Sequence, residues 1–297
     1  MNVLFVADMP DAERAAWRDA LIQAAPELRW HDDGDAHDRA TIDAAVVANP
    51  PPGRLQGLPR LRLVQSLWAG VDRLLADATL PDVPLARMVD PAMTAAMVET
   101  ALWAVLSLHR GFFAYARQQR DARWVQQPQR RAADVAVLVL GLGEMGRAVA
   151  QALGERGYRV HKWHRGVPLQ PLLADAEIVV NLLPLTPETI GLLDARFFGA
   201  LPQGAAIVNL ARGAHLRDED LLAALDASHV SHAVLDVFAA EPLPPDHAYW
   251  RHERVTVLPH VAALTDPLSA ASAVAANLRA LRDGRPVANL VDRTRGY

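Results

Sequence analysis

The stretch that most constrains this chain runs from Val135 to Ala150: Val-Ala-Val-Leu-Val-Leu-Gly-Leu-Gly-Glu-Met-Gly-Arg-Ala-Val-Ala. Six consecutive apolar residues, Val135 to Leu140, read as a strand buried on both faces, the signature of a parallel sheet. They lead directly into Gly141-x-Gly143-x-x-Gly146 and an alanine-rich helical segment. In that setting the first glycine permits a tight turn, the second lets backbone approach a pyrophosphate, and the third lets helix pack on strand. The helix N-terminus then faces the phosphates, so Gly141, Gly143, Glu144, Met145 and Gly146 are expected to line a dinucleotide site. A glycine triplet alone is also a tight turn of any parallel α/β protein, which is the plainer alternative.

At 297 residues the chain has room for about two domains, and 51% apolar residues is enough to build a core in each. A net charge of −4 with interspersed signs offers no basic face for nucleic acid. The first residues lack a basic n-region, their apolar run stops at Asp8, and no uninterrupted apolar stretch spans a membrane. A cytoplasmic protein with no membrane or nucleic-acid partner is expected. There is no cysteine, which excludes disulfides, thiolate metal sites and cysteine nucleophiles. Lys162 is the only lysine, so there is no phosphate-binding Gly-Lys-Ser/Thr loop.

Asn2–Ala7, Ala44–Ala48 and residues 61–65 read as short apolar strands, with an amphipathic helix over 11–25. Pro50-Pro51-Pro52-Gly53 fits neither a central strand nor a helix interior and is expected as a rigid loop. In Ser66-Leu67-Trp68-Ala69-Gly70-Val71-Asp72, small residues at a strand-to-helix turn leave backbone N–H groups facing outward, where they can hold a carboxylate. A long helix is expected over 94–119 with Thr94 as its N-cap. A polar, arginine-rich connection over 120–134 then reaches the central strand. Further strands are expected over 158–163, 177–183, 205–210, 233–237 and 255–258, and a last helix over 266–282. That spacing suits a doubly wound parallel sheet.

Three later segments narrow the reading: Val208-Asn209-Leu210-Ala211-Arg212-Gly213, then Leu235-Asp236-Val237-Phe238-x-x-Glu241-Pro242-Leu243-Pro244, then Leu258-Pro259-His260-Val261-Ala262-Ala263. In this order, and with the glycine turn, the chain resembles the D-isomer-specific 2-hydroxyacid dehydrogenases over nearly its whole length. Ser66 to Asp72 and the polar end of the second cofactor strand are most similar to the glyoxylate/hydroxypyruvate reductase branch. The resemblance implies an α/β fold of two doubly wound parallel-sheet domains. A Rossmann cofactor domain, residues 93–267, is inserted in a flavodoxin-like substrate domain, residues 1–92 with 268–297.

The implied reaction is hydride transfer from a nicotinamide cofactor to a small 2-keto acid such as glyoxylate or hydroxypyruvate. Reducing the carbonyl requires a proton for its oxygen, which a histidine supplies near neutral pH; the resemblance assigns this to His260. A carboxylate on the other ring nitrogen favours the imidazolium and fixes the ring, implied for Glu241. An arginine forks onto the substrate carboxylate and polarises the carbonyl, implied for Arg212. Trp68, Ala69 and Gly70 are implied at the substrate, and Leu183, Pro184, Thr189 and Ala211 along the cofactor. Asp236 is implied at the nicotinamide carboxamide, with a helix or turn cap as its alternative. Singly, each residue has an ordinary reading: a loop histidine after proline, a Glu-Pro turn, a solvated arginine.

NAD-binding domains place an Asp or Glu about 20 residues past the glycine turn to accept the ribose 2′-hydroxyl. Here residues 158–165 read Tyr-Arg-Val-His-Lys-Trp-His-Arg, with no carboxylate. His164 stands where the family's NAD users have aspartate. Lys162, His164 and Arg165 offer positive charge to a 2′-phosphate, so NADPH is the expected cofactor and NADH the alternative. A solvated strand end is the plainer reading of the same residues. His161 and His164 lack a third ligand, so no metal is expected.

Two functional alternatives stay open on the sequence. One is the same enzyme class with another substrate or with NADH, because Trp68 is bulky where many relatives carry a small residue and Asn49 replaces a frequent tryptophan. The other is a non-catalytic, nucleotide-sensing binding protein like the family's C-terminal binding protein corepressors; the filled positions at Arg212, Glu241 and His260 weigh against it. The resemblance also implies a homodimer that pairs through the cofactor domain, with residues 94–134, among them Trp103 and Trp124, supplying the surface.

Overall fold

A computed structural model describes all 297 residues, Met1–Tyr297. The chain divides into two compact units, one made of Met1–Met93 with Thr265–Tyr297 and the other of Thr94–Leu264. Each is built on a wholly parallel sheet.

The first unit holds β1 Asn2–Ala7, β2 Arg29–Asp32, β3 Ala44–Ala48, β4 Val64–Ser66 and β5 Leu85–Ala86, in the order β2-β1-β3-β4-β5. This is the flavodoxin-like order. The helix Asp11–Ala24 turns Trp17, Ala20 and Leu21 inward. The helix Pro267–Arg282 packs beside it and begins where the Asp266 carboxylate accepts the Ser269 N–H at 2.8 Å. Arg279 ties the two helices by donating to the Ala24 carbonyl at 2.7 Å and to Glu27 at 2.8 Å. Buried Asn277 donates to the Gln65 side chain at 2.7 Å, fastening the C-terminal helix to β4. The unit is therefore assembled from both ends of the chain.

In the second unit the strands are β6 Ala136–Leu140, β7 Arg159–Trp163, β8 Ile178–Asn181, β9 Ala205–Asn209, β10 Val230–Leu235 and β11 Val255–Val257. Their order is β11-β10-β9-β8-β6-β7. Strand β6 has its successor on one side and β8 on the other, so the winding reverses there and a crevice opens outside the carboxyl ends of β6 and β8. The continuous apolar run of β6 divides between two cores. Leu138 and Leu140 pack with Phe197, Phe198 and Leu221, while Val137 and Val139 pack with Met97, Ala101 and Val105. A strand covered on both faces has no side left for polar residues.

Residues 94–119 form two helices rather than the expected one, Pro91–His109 and Phe112–Arg120. The break is at Gly111, whose φ of +72° suits glycine and no helix interior. The N-terminus is set by Asp90 rather than Thr94: its carboxylate accepts the Ala92 N–H at 3.1 Å, with Pro91 in the first helical position. By length and composition Pro91–His109 is apolar enough to cross a membrane. Its apolar run is interrupted at Thr94, Glu99, Thr100 and Ser107, so it is not the uninterrupted span whose absence the sequence led one to expect. Met97, Ala101, Ala104 and Val105 of this helix lie in the core of the second unit.

Strand β2, Arg-Trp-His-Asp, has no apolar run and was not expected; it is an edge strand paired only with β1, where half-buried polar residues are tolerated. The strand expected over 61–65 begins only at Val64, Leu61 and Leu63 being buried from the preceding loop.

Candidate active site

Parallel strands deliver all their carboxyl ends, and the loops that follow them, to one edge of the sheet. In the second unit β9, β10 and β11 are neighbours, and the loops after them carry Arg212, then Asp236 and Glu241, then His260.

Asp236 directly follows β10 and is 1% exposed. Its main-chain carbonyl accepts the His260 N–H at 2.9 Å, and its carboxylate accepts the Val261 N–H at 2.7 Å and the Ala262 N–H at 3.0 Å. This grip holds His260 at a φ of +56°, a left-handed conformation that costs a side-chain-bearing residue about 1–2 kcal/mol. Burial pushes the Asp236 carboxyl above its usual range against the opposing pull of those two N–H groups.

The ring of His260 is fixed from the other side. Nδ1 lies 2.7 Å from Glu241 Oε2, and Glu241 Oε1 accepts the Phe238 N–H at 2.9 Å. An ionised carboxylate only accepts, so Nδ1 carries the proton and Nε2 is the atom left to give one up. The Glu241 hydrogen bond raises His260 above its ordinary value, outweighing burial and the Arg212 charge. Burial pushes Glu241 up, but the His260 and Phe238 hydrogen bonds with the His260 and Arg212 charges bring it below the usual carboxylate range. Both side chains stay reachable, at 53% and 36% exposure.

Arg212 follows β9, and its Nη1 donates to the Ala211 carbonyl at 2.7 Å. A Cβ on Gly213 would sit 1.9 Å from the Phe238 carbonyl carbon, so the Arg212 turn lies flush against the loop that carries Glu241. A guanidinium beside a protonated imidazole backed by a carboxylate can bind an anionic carboxylate, polarise a neighbouring carbonyl and protonate its oxygen.

At the crevice by β6 and β8, a Cβ on Gly146 would lie 1.8 Å from the Gly141 carbonyl oxygen, while Gly141 itself has a φ of +90° and presses on Leu182. The helix Glu144–Glu155 starts at Gly143 with no side-chain cap and with no atom within 4 Å of where a Gly143 Cβ would be. Uncapped N–H groups facing open space fit a pyrophosphate. Glu144 pairs with Arg147 at 3.3 Å, and Met145 packs on the core.

After β8, the Thr189 hydroxyl donates to the Pro184 carbonyl at 2.9 Å and accepts the Thr186 N–H at 2.8 Å, which braces the loop that begins at Leu183. At the end of β7, Lys162, His164 and Arg165 are exposed, with Arg165 2.9 Å from Glu188. His161 pairs instead with Asp175 at 2.7 Å.

Trp68, Ala69 and Gly70 lie in the first unit, on the turn between β4 and the short helix Asp72–Leu75. The Trp68 N–H donates to the Ser66 hydroxyl at 3.0 Å, and the Trp68 ring stands edge-on to Trp17 at 6.2 Å. The structure thus gathers Arg212, Asp236, Glu241 and His260 along three adjacent strand ends, and the glycine turn, Leu183, Pro184 and Thr189 along two others. Sequence reasoning passed over Asn181, Asn209 and His215, all fully buried beneath these loops. The available signal was an asparagine closing each of two apolar strands.

The sequence profile of the D-isomer specific 2-hydroxyacid dehydrogenase NAD binding domain matches residues 102–262. A D-isomer specific 2-hydroxyacid dehydrogenase from Xanthobacter autotrophicus, solved in complex with NADPH and MES, is 38% identical, with a TM-score of 0.95 over 100% of this chain and 99% of that one. An NADPH-dependent glyoxylate/hydroxypyruvate reductase from Sinorhizobium meliloti, in complex with NADP and sulfate, is 32% identical, with a TM-score of 0.92 over 100% and 99%. A probable 2-hydroxyacid dehydrogenase from Rhizobium etli, in complex with NADP, HEPES and L(+)-tartaric acid, is 29% identical, with a TM-score of 0.92 over 100% and 99%.

The electrostatics make one direct prediction. Glu241→Gln removes the charge that favours the imidazolium, so the His260 pKa, read from its ring resonances in an NMR titration, should fall. A His260 titration unchanged by the substitution would contradict the assignment of Glu241 as the group that holds its proton.

Proposed function

From the D-isomer specific 2-hydroxyacid dehydrogenases, the family to which this chain belongs, we propose an NADPH-dependent reductase of small 2-keto acids such as glyoxylate and hydroxypyruvate. The observation that carries the reading is the His260–Glu241 pair at 2.7 Å, with the Arg212 charge acting on both residues.

The residues present fit a phosphorylated dinucleotide. Gly141, Gly143 and Gly146 with the uncapped start of the helix Glu144–Glu155 would hold its pyrophosphate, and Leu183, Pro184, Thr189 and Ala211 would flank it. Lys162, His164 and Arg165 supply positive charge where an NAD-selective domain has a carboxylate, which supports NADPH over NADH. The three relatives solved with NADPH or NADP agree with that choice. When bound, the reduced nicotinamide supplies the hydride.

The chain's own residues do the rest. Arg212 forks onto the substrate carboxylate and sets positive charge beside the carbonyl oxygen. His260 donates its Nε2 proton to that oxygen, and Glu241 keeps the imidazole protonated and aimed until then. Asp236 caps the left-handed turn at His260, and its remaining lone pairs are assigned to the nicotinamide carboxamide. Ala69, Gly70 and Trp68 are assigned to substrate recognition by likeness to the family's motif.

The Thr94–Leu264 unit also exposes Trp103, Leu106, Phe112 and Trp124, the last at 95%. We assign these residues to a homodimer contact, as aromatic residues are enriched at interfaces between subunits. A monomer at micromolar concentration in analytical ultracentrifugation would refute it.

His260→Ala should lower kcat for glyoxylate reduction by about 10²–10⁴-fold while NADPH affinity stays near the parent value. Near-normal turnover would overturn the assignment. Arg212→Ala should lower kcat/KM for the keto acid by about 10²–10³-fold, and an unchanged ratio would count against its role.

A further inference from the structure

Asn181 and Asn209 are the last residues of β8 and β9 and stand directly opposite each other across the two strands. Both are fully buried, and a buried amide with a missing partner costs about 1–3 kcal/mol per group. Neither has one missing. Asn181 Oδ1 accepts the Leu183 N–H at 3.2 Å, and Asn181 Nδ2 donates to Asn209 Oδ1 at 3.0 Å and to His215 Nδ1 at 2.9 Å. Asn209 Oδ1 also accepts the Ala211 N–H at 3.3 Å, and Asn209 Nδ2 donates to the Arg212 carbonyl at 3.0 Å.

His215, equally buried, completes the set. Asn181 Nδ2 can only donate, so His215 Nδ1 accepts; the Pro184 carbonyl can only accept, so Nε2 carries the hydrogen, at 3.2 Å. One neutral tautomer satisfies both contacts. The Pro184 carbonyl is also the acceptor of the Thr189 hydroxyl, and the Arg212 carbonyl also accepts the His215 N–H at 3.3 Å. An unbroken series of hydrogen bonds therefore runs from Thr189 through Pro184, His215, Asn181 and Asn209 to Arg212. It joins the loop after β8 to the loop after β9 underneath the site.

We propose that His215, with Asn181 and Asn209, is the positioning device that locks the Arg212 turn to the Pro184–Thr189 loop, so that the carboxylate-binding arginine and the cofactor loop keep one fixed relation. This rests on the functional reading above. A leucine of similar volume would serve packing alone; the imidazole adds an acceptor and a donor at opposite ends of one rigid ring, each aimed at a different loop. None of the three residues is placed at the reacting atoms, so their effect passes through Arg212 and Pro184.

The test compares His215→Leu, which removes both ring contacts, with His215→Gln, whose amide offers an acceptor and a donor in the same sense. Near-ultraviolet circular dichroism and urea titration establish that each variant is folded. The KM and kcat for glyoxylate and the Kd for NADPH are then measured. The leucine variant should raise both KM and Kd by about tenfold with a smaller loss in kcat, and the glutamine variant should stay within about threefold of the parent. A folded leucine variant with KM and Kd within about twofold of the parent, whatever its urea midpoint, would overturn the proposal. If the leucine variant does not fold, Asn181→Ser cuts the same series and carries the same expectations. If the parent turns over no keto acid, the functional reading fails separately; the NADPH Kd then decides, its rise in the leucine variant and rescue by glutamine supporting the link and an unchanged value refuting it.

Discussion

His260 is gripped at both ends by acidic residues that follow the same strand. Asp236 takes the backbone, accepting three successive N–H groups through its carbonyl and its two side-chain oxygens. Glu241 takes the ring. The backbone grip is what makes a positive φ tolerable at a histidine, and the ring grip is what favours the charged form of the imidazole. Remove the first and the ring loses its direction; remove the second and it holds its proton less firmly. Both depend on β10 and β11 lying side by side in parallel register, so that Leu235 and Val257 end level and the loops beyond them meet.

The same logic extends along the sheet edge. Strands β8 and β9 end level at Asn181 and Asn209, and the two amides carry hydrogen bonds onward into the loops where backbone pairing stops. Strand β6 ends in a turn so close that only hydrogen fits at Gly146. Apolar residues build the interiors of β6, β8 and β9, and a glycine or polar residue stands where β6, β8, β9 and β10 hand over to their loops: Gly141, Asn181, Asn209 and Asp236. The polar groups buried at these ends are paired with one another or with the loop backbone.

The sequence suffices to place β6, its glycine turn and the helix after it, because an apolar run followed by spaced glycines has few other realisations. It also suffices to nominate Arg212, Glu241 and His260, each of which sits just past a strand of the same sheet. Elements with weak patterning are a different matter. Strand β2 is polar and β5 has two residues, so neither carries a periodic signal. The expected single helix over 94–119 fails at Gly111, where one residue's backbone angle decides the outcome. The buried network of Asn181, Asn209 and His215 leaves little trace in one dimension: its members are far apart in the chain, two of them fall within expected apolar strands, and nothing in the pattern says that they pair. The resemblance names the histidine and its carboxylate, but the inward-facing bonds that hold Arg212 in place can be read only from the fold.

The measurement that tests the account most directly is the initial rate of reduced-cofactor oxidation by the intact protein. Glyoxylate, hydroxypyruvate, pyruvate and a bulky aromatic keto acid would each be offered with NADPH and with NADH. Fast turnover of glyoxylate or hydroxypyruvate with NADPH, slower turnover with NADH, and little with the aromatic acid is the expected result. Binding of NADPH without turnover of any keto acid would contradict it, leaving the fold intact and the strand-end cluster without the reductive role assigned to it.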